Sequence, residues 1–275
     1  MNQARRSDGH HIGSALASLA AKECRSLHES LAQKKDDHRG IHDARRACRR
    51  LRCLLPLLAD LPVAEQAAAI DKKLRRLVHG LSDLRDAHVA IRTAQRLAST
   101  HASLTPALIG LLEDRSATLL AAAQEQDSGW KHRRRQAARI GEAIRALPWQ
   151  TITPSATKTA LKHSKKRMKK ACRKAREQRT SEASHRWRRR ARQLRYQLQL
   201  LRKARLMTGM DKSCMQQYEA RIKRLGLLTD RLGWRQDVQV FLHVLDQLPA
   251  SAEVTALRAE LSGKTSTLPR TRTDK

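Results

Sequence analysis

The sequence predicts an all-α fold built on an internal repeat, and three observations carry that prediction. Nearly every long segment has a helical period filled with Ala, Leu, Arg, Lys or Gln. Alternating Val, Ile or Thr of strand type is lacking. The stretch 41–58, IHDARRACRRLRCLLPLL, returns in skeleton at 184–201 as SHRWRRRARQLRYQLQLL. Setting His42 over His185 brings Arg45 over Arg188, Arg46 over Arg189, Arg49 over Arg192, Leu51 over Leu194, Arg52 over Arg195 and Leu55 over Leu198. A repeat of this kind outranks any single motif as a guide to architecture.

Taken in order, residues 1–11 are expected to be a disordered N-terminus and residues 12–33 a first helix rather than a targeting peptide, since the apolar run is short and rich in Ala and Ser. KKDDHRG, ending at Gly40, is expected to be a loop into the basic helix at 41–58, which Pro56 kinks and Leu61 and Pro62 close. A third helix covers 64–80. Ser82 is placed to N-cap a fourth at 83–98, with Asp83 and Asp86 in its favourable first turn. Helices at 106–126 and 130–146 complete a first half, 12–147. The Pro- and Thr-rich stretch LPWQTITPSAT supplies a link at 148–157. The second half, 158–250, holds helices at 158–178, 184–206, 214–231 and 233–248. Residues 251–275 read as a short helix and a disordered tail. LVHGLSDLRDAHVAI at 77–91 aligns without gaps with LTDRLGWRQDVQVFL at 228–242, anchored by Leu81 with Leu232, Asp86 with Asp237 and Val89 with Val240. Its offset is longer than that of the basic helices, so a loop has changed length between the motifs.

On a helix, His42, Arg45, Arg46, Arg49 and Arg52 fall on one side, while Ala44, Ala47, Leu51, Leu55 and Leu58 occupy the other. At about 1.5 Å per residue the cationic rail is about 15 Å long, a length suited to a polyanion rather than to one phosphate. Lys162, Lys165, Lys166, Lys169, Arg173 and Arg176 share a face of the helix just ahead of the second copy, opposite Leu161, Met168, Ala171 and Ala175.

Composition points the same way. Lys and Arg outnumber Asp and Glu by 57 to 26, a formal charge of +31 that argues for a polyanionic partner: nucleic acid, inorganic polyphosphate, an anionic membrane surface or an acidic protein. Aromatic residues make up 3% of the chain, with a single Phe, and are too scattered to look like a stacking platform, which disfavours single strands as ligand. No apolar run approaches the ~18 residues of a membrane span. Five cysteines without a CxxC pair indicate neither a disulfide framework nor a zinc ribbon and suit a reducing cytoplasm. His79, Asp83 and Asp86, or Cys24 with His28, fall short of a metal ligand set. No Walker loop, nucleophile elbow or carboxylate cluster for two-metal phosphoryl transfer occurs, so no enzymatic activity and no cofactor are expected.

HDARRACRRLR and HRWRRRARQLRY resemble the two signature helices of the conserved histidine α-helical domain, the CHAD family, and LSDLRDAHV and LGWRQDVQV resemble its LGxLRDxxV element. The resemblance covers about residues 12–250, in order and in duplicate. It implies two helical bundles related by a pseudo-twofold axis around a central basic groove or pore, and binding of inorganic polyphosphate without catalysis. Carried over by position, it marks His42, Arg45, Arg49 and Arg52 in one copy, and His185, Arg188, Arg192 and Arg195 in the other. Asp86 and Asp237 match its acidic position, expected to cap helices or to pair with Arg. The full candidate set adds Arg46, Arg189, Tyr196, Lys162, Lys165, Lys166, Lys169 and Arg173. Gln193, Cys53 and Ser82 depart from the pattern shown by Arg50, Tyr196 and Gly233 in the opposite copies. Some members carry a triphosphate-tunnel domain with an ExExK signature, and no ExExK occurs here. With polyphosphate as ligand, association with polyphosphate granules follows. Nucleic acid bound by its backbone is the alternative, and a competitor for the same faces. The histidines remain open between core, metal and phosphate-donor roles; as donors they would make binding stronger below pH 7, because a nearby polyanion favours the imidazolium.

Overall fold

The computed structural model describes residues 4–33, 36–58, 63–101, 103–210 and 213–265, with the side chains of 4–11, 214 and 262–265 left aside. The described residues are all-α: α1 (Ala4–Ala32), α2 (Asp37–Leu54), α3 (Ala64–His79), α4 (Ser82–Leu97), α5 (Pro106–Gln126), α6 (Lys131–Arg145), α7 (Pro154–Gln178), α8 (Ser181–Met207), α9 (Gln216–Leu245) and α10 (Ala252–Thr265). Among them is no strand. The first helix begins at Ala4 rather than at residue 12, and the expected tail beyond residue 265 lies outside the described residues.

Two compact units emerge. One takes in residues up to Leu81 together with Gln126–Trp234; the other takes in Ser82–Glu125 together with residues from Arg235 on. In the larger unit α1 packs on α2, α6 and α8, with Leu16, Leu27 and Leu31 wholly buried, and α7 packs along α8. Ala191, Leu194 and Leu198 of α8 meet Leu225 of α9, with Leu161 and Met168 of α7 against them. In the smaller unit Arg85 of α4 bonds Asp86 at 2.6 Å and Asp237 of α9 at 3.4 Å, so both matched acids sit on one guanidinium. Ser103 donates to Glu260 of α10 at 3.2 Å, and Arg258 of α10 pairs with Asp246.

Several boundaries differ from the expected ones for identifiable reasons. The loop ahead of α2 is shorter than KKDDHRG, because the Asp36 carboxylate caps the helix by accepting from Arg39 N at 2.9 Å. Gly40 therefore lies inside α2, where a Cβ would stand 2.6 Å from the Ser30 carbonyl oxygen of α1; it is a close-approach residue, not a turn. Pro56 falls in a 3-10 turn, Leu55–Leu58, that ends α2. The sequence pattern predicts a helix start at Gly233. Instead α9 runs through it unbroken, and Arg188 Nη2 occupies the space a Cβ would need, 2.7 Å away. The link between halves is packed: Trp149 and Ile152 are buried, and Trp149 Nε1 donates to Ile144 O at 2.8 Å. Thr153 then caps α7 through Ala156 N at 3.1 Å, with Pro154 in the first turn, so α7 starts ahead of Lys158.

Candidate functional site

The two basic helices pack on each other. Apolar faces anchor each of them in the core: Ala44, Ala47, Cys48, Leu51 and Leu54 of α2 are buried, as are Ala191, Leu194, Leu198, Leu201 and Ala204 of α8. A buried hydrogen bond fixes the register, Gln197 Nε2 donating to the Cys53 carbonyl at 3.1 Å. Nearby the Arg50 guanidinium lies 6.0 Å from the centre of the Tyr196 ring. The start of α2 is held by Trp130, whose Nε1 donates to Asp37 at 3.0 Å. Trp130 leads into α6, whose start is capped by Asp127. That carboxyl titrates below its usual range: burial alone would raise it, but hydrogen bonds from His132 N, Arg133 Nη1 and Arg133 N outweigh burial.

The structure divides the rail residues into two sets. Some are taken up by the protein. Arg45 Nη1 donates to Val78 O at 2.7 Å and Arg52 Nε to Asp71 at 2.6 Å, both on α3. Arg195 Nη1 donates to Thr229 Oγ1 at 3.0 Å, and Arg188 packs on the Gly233 backbone, both on α9. Arg46 stands 3.5 Å from Asp43. Arg49 and Arg192 differ. Among the described residues Arg49 and Arg192 make no hydrogen bond and no ion pair, yet they lie in each other's field. Arg192 is half-buried and pushed down to about 9, first by burial, then by the positive charges of Arg49 and Arg188. Arg189 is exposed beside them. His42 is exposed and His185 half-buried.

The α7 cations Lys162, Lys165, Lys166, Lys169 and Arg173 are all exposed, on the side of the helix away from its α8 contact. Arg167 of α7, outside the face marked by the sequence pattern, lies in the field of Arg190 of α8. Arg190 of α8 titrates below its ordinary range through burial and through Arg167, Arg189, Arg75 and Arg186. Arg75 of α3, bound to Asp71 at 2.5 Å, thus joins a second cationic cluster with α7 and α8. The run KKLRRL at residues 72–77 carries the signal; that Arg75 comes within the field of Arg190 is not a local property of sequence. Burial pushes Cys48 and Cys53 up to about 12 and Cys24 to about 11, against the pull of neighbouring arginines. No three His, Cys, Asp or Glu side chains among the described residues gather to hold a metal, and no helix there is long and apolar enough to cross a membrane.

An all-α chain whose two His/Arg helices pack on each other belongs, at the level of fold, to the class of helical-bundle proteins. Its family is defined more narrowly by sequence. The CHAD domain matches residues 15–246, and the chain belongs to that family. It is similar to the crystal structure of the CHAD domain from the plant Ricinus communis, with a TM-score of 0.67 and 20% identity over 95% of this chain and 89% of that one; at this identity the likeness concerns the fold. Comparison with curated proteins finds no match.

Proposed function

We propose that the protein binds inorganic polyphosphate without catalysing its turnover, using the basic faces of the neighbouring helices α2 and α8. The observation that carries this is the Arg49–Arg192 pair, two guanidiniums in one field with no carboxylate partner among the described residues. Cations held together unneutralised raise the energy of the free protein, and a polyanion lowers it. Arg offers a planar fork that grips two phosphate oxygens at once, so a repeating phosphate chain is matched by arginines repeated along two neighbouring helices. His42, Arg46, Arg189, His185 and Tyr196 flank the pair. The exposed Lys162, Lys165, Lys166, Lys169 and Arg173 extend the positive surface as mobile point charges. Arg45, Arg52, Arg188 and Arg195 brace the rails against α3 and α9 while keeping their charge beside the ligand. Residence in the cytoplasm and association with polyphosphate granules are part of the same proposal.

The test is competition against labelled long-chain polyphosphate. Unlabelled polyphosphate should displace it far better, phosphate for phosphate, than duplex DNA or structured RNA. Equal displacement by nucleic acid would replace the polyphosphate reading with backbone binding of nucleic acid. Arg49→Ala with Arg192→Ala keeps helix propensity high and should abolish most of the binding; unchanged affinity with intact helicity would remove the site.

A further inference from the structure

Beside the rails the larger unit holds a cavity of about 410 Å³ between α1, α2, α8 and α9, lined by Glu23, Arg50, Tyr196, Leu200, Lys203 and Lys223 among others. That volume lies within the range of small-molecule sites. Its cations fall into two kinds. Arg50 is bound to Glu23 at 2.9 Å, and Arg202 is bound to Glu219. Lys203 and Lys223 are exposed, and neither makes an ion pair among the described residues. The walls are also mixed. Leu200 is 4% exposed, Ile222 packs on the α8–α9 core, and Tyr196 presents a ring that Arg50 approaches from 6.0 Å. Gln199 adds an amide able both to donate and to accept.

We propose that this cavity binds a nucleoside phosphate, its phosphates on Lys203 and Lys223 and its base against Tyr196, Leu200 and Ile222. A bare phosphate chain would gain nothing from an apolar and aromatic wall, whereas a base buries its ring there and keeps its edge within reach of Gln199 and of the Glu23 carboxylate. A neutral aromatic ligand would leave the two lysines unused. The Glu23–Arg50 and Glu219–Arg202 pairs occupy the cavity's remaining charges, so a ligand need neutralise only the lysines. The inference goes beyond polyphosphate binding and does not depend on it, although Tyr196 borders both sites.

The experiment is direct titration of ATP, adenosine and tripolyphosphate into the intact protein by calorimetry. The wild type should bind ATP at least tenfold more tightly than either fragment. Lys203→Ala with Lys223→Ala, both at exposed positions, should weaken ATP at least tenfold while leaving the affinity for long polyphosphate and the melting temperature unchanged. Arg49→Ala with Arg192→Ala should leave ATP affinity within twofold. The proposal is overturned if ATP binding survives loss of both lysines. It is equally overturned if tripolyphosphate matches ATP, or if loss of Arg49 and Arg192 weakens ATP as it weakens polyphosphate, since the nucleotide is then read as a short phosphate chain on the rails. A wild type that binds ATP but not polyphosphate would sustain this site and sink the rail reading alone.

Discussion

Arg192 of α8 lies in the positive field of Arg49 of α2, and that field is second only to burial in holding the Arg192 guanidinium down to about 9. An arginine is ordinarily charged at any accessible pH, so this is a position where the free protein carries a cost that only a ligand or a substitution removes.

Replacing Arg192 by Gln should therefore stabilise the free protein by roughly 1 kcal/mol while weakening polyphosphate about tenfold. The sign of the pH dependence follows from the depressed value. Below pH 9 the folded wild type bears the full cost of a protonated Arg192; as pH rises through 9 it sheds the proton while the unfolded chain keeps it, and stability rises. The difference between Arg192→Gln and wild type in urea unfolding should thus narrow above pH 9. A constant difference from pH 7 to pH 10 would count against the like-charge contact.

Saturating polyphosphate should conversely stabilise the wild type. At a hundred times the dissociation constant the gain is about 2.7 kcal/mol, seen as a rise in melting temperature. The rise should shrink steeply with added salt, because each neutralised phosphate releases counterions. A salt-independent rise would point to a neutral or mainly apolar contact.

Gly40 and Gly233 separate by what lies above them. Gly40→Ala sets a Cβ 2.6 Å from the Ser30 carbonyl, so α1 and α2 must part, at a cost of about 2 kcal/mol. Gly233→Ala meets the far end of Arg188, which can swing aside. The helix-propensity gain of up to about 1 kcal/mol offsets that movement, leaving stability nearly unchanged but Arg188 displaced and polyphosphate weakened severalfold. Denaturation and binding curves on the two variants check both statements, and a Gly233→Ala protein as unstable as Gly40→Ala would show that Arg188 is rigidly held.

The basic rails were legible in the sequence because they are local: a helical period sorts His42, Arg45, Arg49 and Arg52 to one side, and the repeat at His185 marks the same pattern again. The family signature made the all-α fold legible too. Which arginines remain for a ligand was not legible. Arg52 is claimed by Asp71 and Arg45 by Val78 O, partners whose positions depend on how α3 packs across α2. For the same reason Arg75, Arg167 and Arg190 went unmarked, although each stands in a visible run of basic residues. Gly40 and Gly233 misled because tight helix crossing and turn formation both select glycine.

The histidines give a third handle. His42 is exposed and His185 half-buried, each at the start of a rail. A bound polyanion favours the imidazolium, so binding takes up protons and affinity should rise severalfold from pH 8 to pH 6. Phosphate protonation is shared by all variants, so the informative quantity is the slope lost in His42→Gln with His185→Gln. Equal slopes with and without the two histidines would show that they serve structure alone.

Cys53 tests the balance of burial and field in the site itself. Arg192, Arg52 and Arg49 all favour its thiolate, and in an open site such neighbours would make it a reactive nucleophile. Burial is the larger effect and pushes the thiol up to about 12, as it does Cys48, with Cys24 at about 11. At pH 8 iodoacetamide should therefore label the half-buried Cys172 and leave Cys24, Cys48 and Cys53 untouched until the protein unfolds, as peptide mass spectrometry can read. Labelling of Cys53 in the native protein at a rate near that of Cys172 would mean that the α2–α8 contact opens. The Arg49–Arg192 apposition would then have to be treated as one of two arrangements, with polyphosphate protection of Cys53 as the measure of which arrangement the ligand selects.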